Sequence, residues 1–182
     1  MKRLFIGIPL SEEIKEKIKP LMGKLKQTGA DLNFVSEANL HFTLKFLGDV
    51  EEKKIDEIKE KLNSIRGKTF LISVKKMGVF PALDRIKVIW LGTDSREMLA
   101  LMKEVDRKLN YIKENDHPDD IPHLTLARVK SGKNKEELQR RVEKDKNTLF
   151  GEMKVDKIIL YESELGKEGP VYRVRGEFGL EK

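Results

Sequence analysis

Apolar residues recur along this chain in two rhythms, and each rhythm marks out a different kind of element. Spacings of three and four predict four helices. Ser11 precedes a stripe of Ile14, Ile18, Leu21 and Leu25, in which Pro20 is expected to kink the helix or end it early. Glu51 opens a helix carrying Ile55, Ile58, Leu62 and Ile65. Asp94, with Glu97 three residues on, reads as a capping box for Met98, Leu101, Met102, Val105, Leu109 and Ile112. Asn134 starts a highly charged helix whose stripe is only Leu138 and Val142, so it is predicted to lie on the outside. The second rhythm, of period two or of short apolar runs, predicts strands over "RLFIGIPL", "HFTLKFLG", "TFLISVKKMGVF", "RIKVIWLGT", "HLTLARVK", "EMKVDKIILYES" and "VYRVRGEF".

Strands and helices do not alternate strictly, because "TFLISVKKMGVF" and "RIKVIWLGT" are separated only by "PALD", a hairpin signal. An antiparallel or mixed sheet with outer helices, an α+β fold, therefore fits better than a doubly wound parallel sheet. One order of elements also repeats. A strand opening on His-x-Thr-Leu, a helix beginning at Glu51 or Asn134, and a long strand from Thr69 or Gly151 occur in sequence twice. An internal duplication giving two pseudo-symmetric lobes within a single domain over residues 1–182 is the simplest reading, with motif strands at 41–48 and 123–130. No linker rich in Gly, Ser or Pro divides the halves, so the lobes are expected to share an interface.

Composition narrows the chemistry. The 182 residues are 38% hydrophobic and 37% charged, a globular balance. Cysteine is absent, which excludes disulfides and thiol catalysis and fits a reducing, cytoplasmic setting. The start, "MKRLFIGIPLSEEIKEK", reads as a first strand and not as a signal peptide, and no apolar run is long enough to span a membrane. A net charge of +6 suits a polyanionic partner, although a modest lysine excess also serves solubility. Glutamine is confined to Gln27 and Gln139 while Lys, Glu and Ile abound, a composition that resembles proteins adapted to heat.

The candidate chemistry lies in the two motifs, which take two of the three histidines. In a strand, residues i and i+2 share a face, so His41 stands beside Thr43 and His123 beside Thr125, while Phe42, Leu44, Leu124 and Leu126 turn to the core. Imidazole titrates near pH 6.5, so one neutral and one protonated ring can serve together as base and acid. Threonine hydroxyls could donate to the nonbridging oxygens of a phosphate between them. In-line displacement at phosphorus needs groups on opposite sides of the reacting atom, and a cleft between two lobes supplies them without calling for a metal. A single His-x-Thr-Leu would read as an ordinary strand; two, in corresponding strands, point to function.

With "RLFIGIPL", "NLHFTLKFLGDV", "MGVFPALDRIKVIWLG", "IPHLTLARV" and "LYESELGKEGPVYRV", the chain resembles, almost end to end, the two-histidine (2H) phosphoesterases. Among these it is most similar to the RNA 2′,3′-cyclic phosphodiesterases, also called 2′-5′ RNA ligases. The resemblance implies a two-lobed fold with both histidines in a central cleft. It also implies hydrolysis of a terminal ribose 2′,3′-cyclic phosphate to a 2′-phosphate, and reversible 2′-5′ joining of such an end to a 5′-hydroxyl, as between tRNA halves. No cofactor and no metal are implied. By the family pattern His41 is the proton donor to the departing 3′-oxygen and His123 the proton acceptor from the nucleophile, with Thr43, Thr125 and Arg128 on the phosphate. A monomer is expected, with an RNA end as its partner. Two rivals remain: a noncatalytic module that only holds RNA ends, and a phosphodiesterase of small cyclic nucleotides.

Several residues stay open at this level. Arg128 lies five positions after His123, an odd spacing that strict alternation sends to the opposite face, so it needs a bulge or a twist to reach the cleft. Phe46 is its counterpart: a core residue by alternation, or a cleft residue for base stacking by correspondence. Lys45 shares parity with His41 and is expected at the cleft. His117, Asp119, Asp120 and His123 could be taken for a metal cluster, but Pro118 and Pro122 stiffen the segment and a loop is the better reading. Trp90 and Phe80 are expected in the core. The pairs Lys75 and Lys76, Arg85 and Lys87, Lys130 and Lys133, Arg140 and Arg141, and Arg173 and Arg175 are available to RNA without specifying it, and either Arg173 or Arg175 could approach the phosphate.

Overall fold

The structure, a computed structural model, describes residues 1–112, 121–166 and 169–181. The elements run β1 (Lys2–Pro9), α1 (Glu12–Gln27), β2 (Leu32–Phe34), β3 (His41–Val50), α2 (Ile55–Asn63), β4 (Phe70–Ala82), β5 (Arg85–Gly92), α3 (Arg96–Lys108), β6 (His123–Val129), α4 (Lys135–Asp145), β7 (Leu149–Val155), β8 (Lys157–Gly166) and β9 (Gly169–Gly179). The strands form one sheet in the order β7-β4-β5-β6-β3-β1-β8-β9, with β2 added beside β6, and the pairings between these strands are antiparallel. The α+β expectation holds, and no parallel layer is needed to explain it.

The order reads alike from both ends about the β6–β3 junction. Each motif strand is central, the first strand of its half flanks it (β1 or β5), and the long strand of the opposite half closes that side (β8 beside β1, β4 beside β5). The two sides are joined by a single registered pair, Phe42 with Leu124. One face of the sheet is sealed by the buried stripes of all four helices, including Ile14, Ile18, Ile58, Leu62, Met98, Val105, Leu138 and Val142. Phe42 and Leu124 are fully buried on that face, which leaves the other to the polar members of the motifs.

Local chemistry explains where the elements depart from their sequence signals. α1 runs through Pro20. The carbonyl that Pro20 cannot satisfy belongs to Glu16, and both residues sit on the exposed side where water can replace the bond. Ser95, not Asp94, caps α3, its hydroxyl accepting from the Met98 N–H at 3.1 Å and donating to Glu97 at 2.9 Å. A 3₁₀ turn at Glu52–Lys54 precedes α2, so the helix begins later than Glu51 implied. The run "EMKVDKIILYES" divides at Asp156 into β7 and β8, which lie on opposite sides of the β6–β3 junction. β2 has no counterpart among the expected strands, since three residues carry no readable alternation.

Candidate active site

The Phe42–Leu124 pair fixes the centre of the site. Extending that antiparallel register by one residue sets His41 opposite Thr125 and Thr43 opposite His123. Each histidine therefore has one threonine along its own strand and another across from it. His41, Thr43 and Thr125 all belong to the open face. There a cleft of about 570 Å³ is lined by His41, Thr43, Phe46, Thr125 and Arg128, and walled by Asn33–Ser36 and by Gly166, Gly169, Pro170, Val171 and Tyr172 of β8 and β9.

Phe46 and Arg128 reach this cleft through matching irregularities. The β1–β3 register slips between Ile6–Lys45 and Gly7–Thr43, leaving Leu44 as the extra residue. The β5–β6 register slips between Ile89–Ala127 and Trp90–Thr125, leaving Leu126 as the extra residue. In each strand two successive residues are then buried, Leu44 with Lys45 and Leu126 with Ala127, and the next returns to the open face. The two bulges give the odd spacing its cleft-facing answer for both residues. The same bulge corrects the expectation for Lys45. It is 5% exposed and its ammonium donates to Asp106 of α3 at 2.6 Å, on the helix side of the sheet.

Both imidazoles are clamped in the same way. His41 Nδ1 donates to the Asn39 carbonyl at 2.6 Å, and His123 Nδ1 donates to the Ile121 carbonyl at 2.9 Å. A carbonyl can only accept, so Nδ1 carries a proton in each ring and Nε2 is left for chemistry. His41 Nε2 lies 3.0 Å from the Thr43 hydroxyl, accepting from it when the ring is neutral. Burial pushes His41 below the ordinary imidazole value; the Asn39 carbonyl opposes this, and the nearby His123 adds to it. The two rings are thus coupled: a proton on one disfavours a proton on the other.

Aromatic side chains hold both rings from the side. Phe5 of β1 and Tyr172 of β9 lie with centroids 4.8 and 5.4 Å from His41, and Tyr161 of β8 is 6.1 Å away. Burial keeps the Tyr161 hydroxyl protonated, pushed up to about 12. Gly7 leaves room for this packing, since a Cβ there would come within 3.0 Å of His41 Cδ2 and 2.9 Å of the Phe42 carbonyl. Around His123, Phe80 is edge-on at 5.0 Å and Trp90 lies at 6.1 Å. Trp90 and Phe80 are half-buried supports of the second histidine, which corrects their assignment to the core. Trp90 in turn lies flat over Gly78, where any Cβ would sit 2.1 Å from the indole.

Known proteins are similar to this chain along nearly its whole length. A model of the "LigT like Phosphoesterase" family matches residues 8–90, which hold the first motif, and again residues 92–172, which hold the second. A protein of Methanocaldococcus jannaschii named RNA 2′,3′-cyclic phosphodiesterase is 40% identical over 97% of this chain and 99% of its own length. The chain belongs to the LigT-like phosphoesterase family. Among solved structures, TT0787 of Thermus thermophilus superposes on this phosphoesterase with a TM-score of 0.78 at 27% identity, covering 98% of this chain and 97% of that one. E. coli LigT complexed with phosphate gives 0.76 at 25% identity, covering 100% and 98%.

In this LigT-like phosphoesterase, five of the residues singled out in the sequence, His41, Thr43, Phe46, Thr125 and Arg128, line the cleft, His123 is not among its lining residues, and the supports around them were missed. Asn39 sends its amide to the Pro170 carbonyl at 2.7 Å, tying the segment that holds His41 to the β8–β9 wall. Phe5, Tyr161 and Tyr172 form a small apolar cluster apart from the main core, which strand alternation alone does not distinguish from core positions. Arg173 and Arg175 are engaged by Glu164 at 2.9 Å and Glu162 at 3.0 Å, so neither is directed at the cleft. Among the described residues no group of three or more metal-ligating side chains occurs; His117, Asp119 and Asp120 lie outside the described residues.

Proposed function

We propose that the protein hydrolyses a 2′,3′-cyclic phosphate at the end of an RNA, leaving a 2′-phosphate and a 3′-hydroxyl. The observation that carries this reading is the pairing of two His-x-Thr motifs across one antiparallel bridge, with Arg128 brought to the same cleft by a bulge. His123 accepts a proton from water as the new O–P bond forms. The P–O3′ bond breaks on the far side, and His41 Nε2 gives its proton to the departing oxygen. Thr43, Thr125 and Arg128 hold the nonbridging oxygens, and Phe46 offers a face to the terminal base. Mutual repulsion suits the histidines to carry one proton between them, and the anionic substrate favours placing it on His41 once bound. With a 5′-hydroxyl in place of water the same displacement forms a 2′-5′ linkage, for instance between tRNA halves, and the roles reverse for the back reaction. No metal or cofactor takes part in the scheme, and both motifs come from one chain, so we read the enzyme as a monomer.

A second reading, a small cyclic nucleotide as substrate, draws on the size of the cleft, which would accept a single nucleotide. Both are tested with an oligonucleotide and a nucleoside carrying the same terminal 2′,3′-cyclic phosphate. The oligonucleotide should be turned over in EDTA, with a 2′-phosphate product, and His41→Ala and His123→Ala should each lose about 10²- to 10⁴-fold in kcat. Loss of activity in EDTA, wild-type turnover no faster than either variant, or a 3′-phosphate product would defeat the mechanism. Turnover confined to the mononucleotide would favour the second reading, and tight binding of the RNA end without turnover would leave only a noncatalytic end-binding module.

A further inference from the structure

About half of the lysines and arginines among the described residues have a carboxylate partner. Lys15 pairs with Glu12, Arg107 with Glu104 and Arg140 with Glu137, each within its own helix, and Lys146 just past α4 pairs with Glu143. The far end of β6 is different. Arg85 and Lys87 of β5, Lys130 just beyond β6, Lys133, and Lys135 at the start of α4 line one groove of about 350 Å³, in which Asp84 is the only carboxylate. None of these five cations takes part in an ion pair among the described residues. Like charges gathered in one groove repel, so the cluster does not help the fold; an anionic ligand is what would offset it.

Position identifies the kind of anion. Lys130 follows Arg128 by two residues along the same chain, about 6.6 Å at the rise of a strand. The groove therefore begins where the phosphate-holding side of the cleft ends. A ligand with one phosphate would fill the cleft alone, whereas a chain of regularly spaced phosphates would reach both. We infer that the groove of Arg85, Lys87, Lys130, Lys133 and Lys135 docks the sugar-phosphate backbone of the RNA whose end lies in the cleft. This inference rests on the proposed function. It adds that the protein selects polynucleotide ends over mononucleotides through contacts that carry no base sequence.

The test compares wild type with the triple variant Lys87→Gln/Lys130→Gln/Lys133→Gln on two substrates, a nucleoside 2′,3′-cyclic monophosphate and an oligonucleotide ending in the same group. For the oligonucleotide kcat/KM should fall about tenfold, chiefly through KM, and the salt dependence of its binding should weaken by about 2 in log-log slope. Turnover of the mononucleotide should not change, which also shows that the variant is folded. Binding of an oligonucleotide with a 3′-phosphate, followed by fluorescence anisotropy, gives a readout independent of turnover. If wild type turns over neither substrate yet the variant still loses oligonucleotide affinity, the functional reading falls and the groove stands. If the variant handles both substrates as wild type does, or loses the same factor on both, the groove assignment is overturned. Polyglutamate binding as tightly as the oligonucleotide, with an equal loss in the variant, would also overturn it in favour of an acidic protein partner.

Discussion

His41 is kept neutral by its surroundings, and folding stability must register this. Because burial lowers its folded pKa below the unfolded value of about 6.5, the unfolded chain binds more protons between those two values. Stability from this residue is therefore complete above that range and is lost as pH falls through the unfolded pKa, levelling off below the folded one. In urea titrations across that window, wild type should lose stability with a slope of up to about 1.4 kcal/mol per pH unit from this group. His41→Gln should flatten that component, and an unchanged pH profile would show that the ring is not held neutral. Alternation sufficed to place His41, Thr43, His123 and Thr125, because each motif is a regular strand up to its threonine. It could not place Phe46 or Arg128, since a bulge is a choice between two backbone paths of similar local energy, decided by the neighbouring strands. Nor could it find Phe80 and Trp90 beside His123, whose proximity exists only through the β4–β5–β6 pairing.

At the scale of elements, β3 and β6 are the same device built with different buried residues. Ala127 fills the second core position of its bulge with a methyl group, and Lys45 fills the equivalent position with an ammonium that must reach Asp106 on α3. Since Lys45 faces the helices, Lys45→Met should leave kcat and KM within about twofold of wild type and should be neutral or mildly stabilising in thermal unfolding. A tenfold loss of activity in a folded Lys45→Met protein would show that the ammonium serves the cleft after all. The helices and the long strands were legible because their stripes are long, and the errors fall where a short-range rule meets a longer-range one. Pro20 is tolerated on a solvated face, Ser95 competes successfully with Asp94 for the cap, and Asp156 ends one strand so that the next can cross the sheet.

In the whole molecule the two sides of the sheet are not the halves of the chain, because each half lends its last long strands to the other side. We propose that the halves are copies of one unit, a reading supported by the order of strands about β6–β3, by the twin bulges and by the two Nδ1 clamps. The exchange predicts how the chain behaves when cut in the turn at Leu83 and Asp84. Neither fragment should unfold cooperatively alone, since each would bare the edge of a strand meant for the other, while the mixed fragments should recover a single transition and turnover. Cooperative unfolding of either fragment by itself would refute that dependence. The exchange was not legible in the sequence, where a strand names its faces but not its neighbours. A perfectly two-fold frame would also be blind to orientation, accepting a ligand equally well either way round. Phe46 and Arg128 stand at equivalent places and remove that equivalence, one with an aromatic face and the other with a fixed positive charge. The cleft thereby acquires a sense of direction: a ligand that has a ring at one end and an anion at the other fits only one way, and a strand threaded backwards meets the wrong chemistry at both.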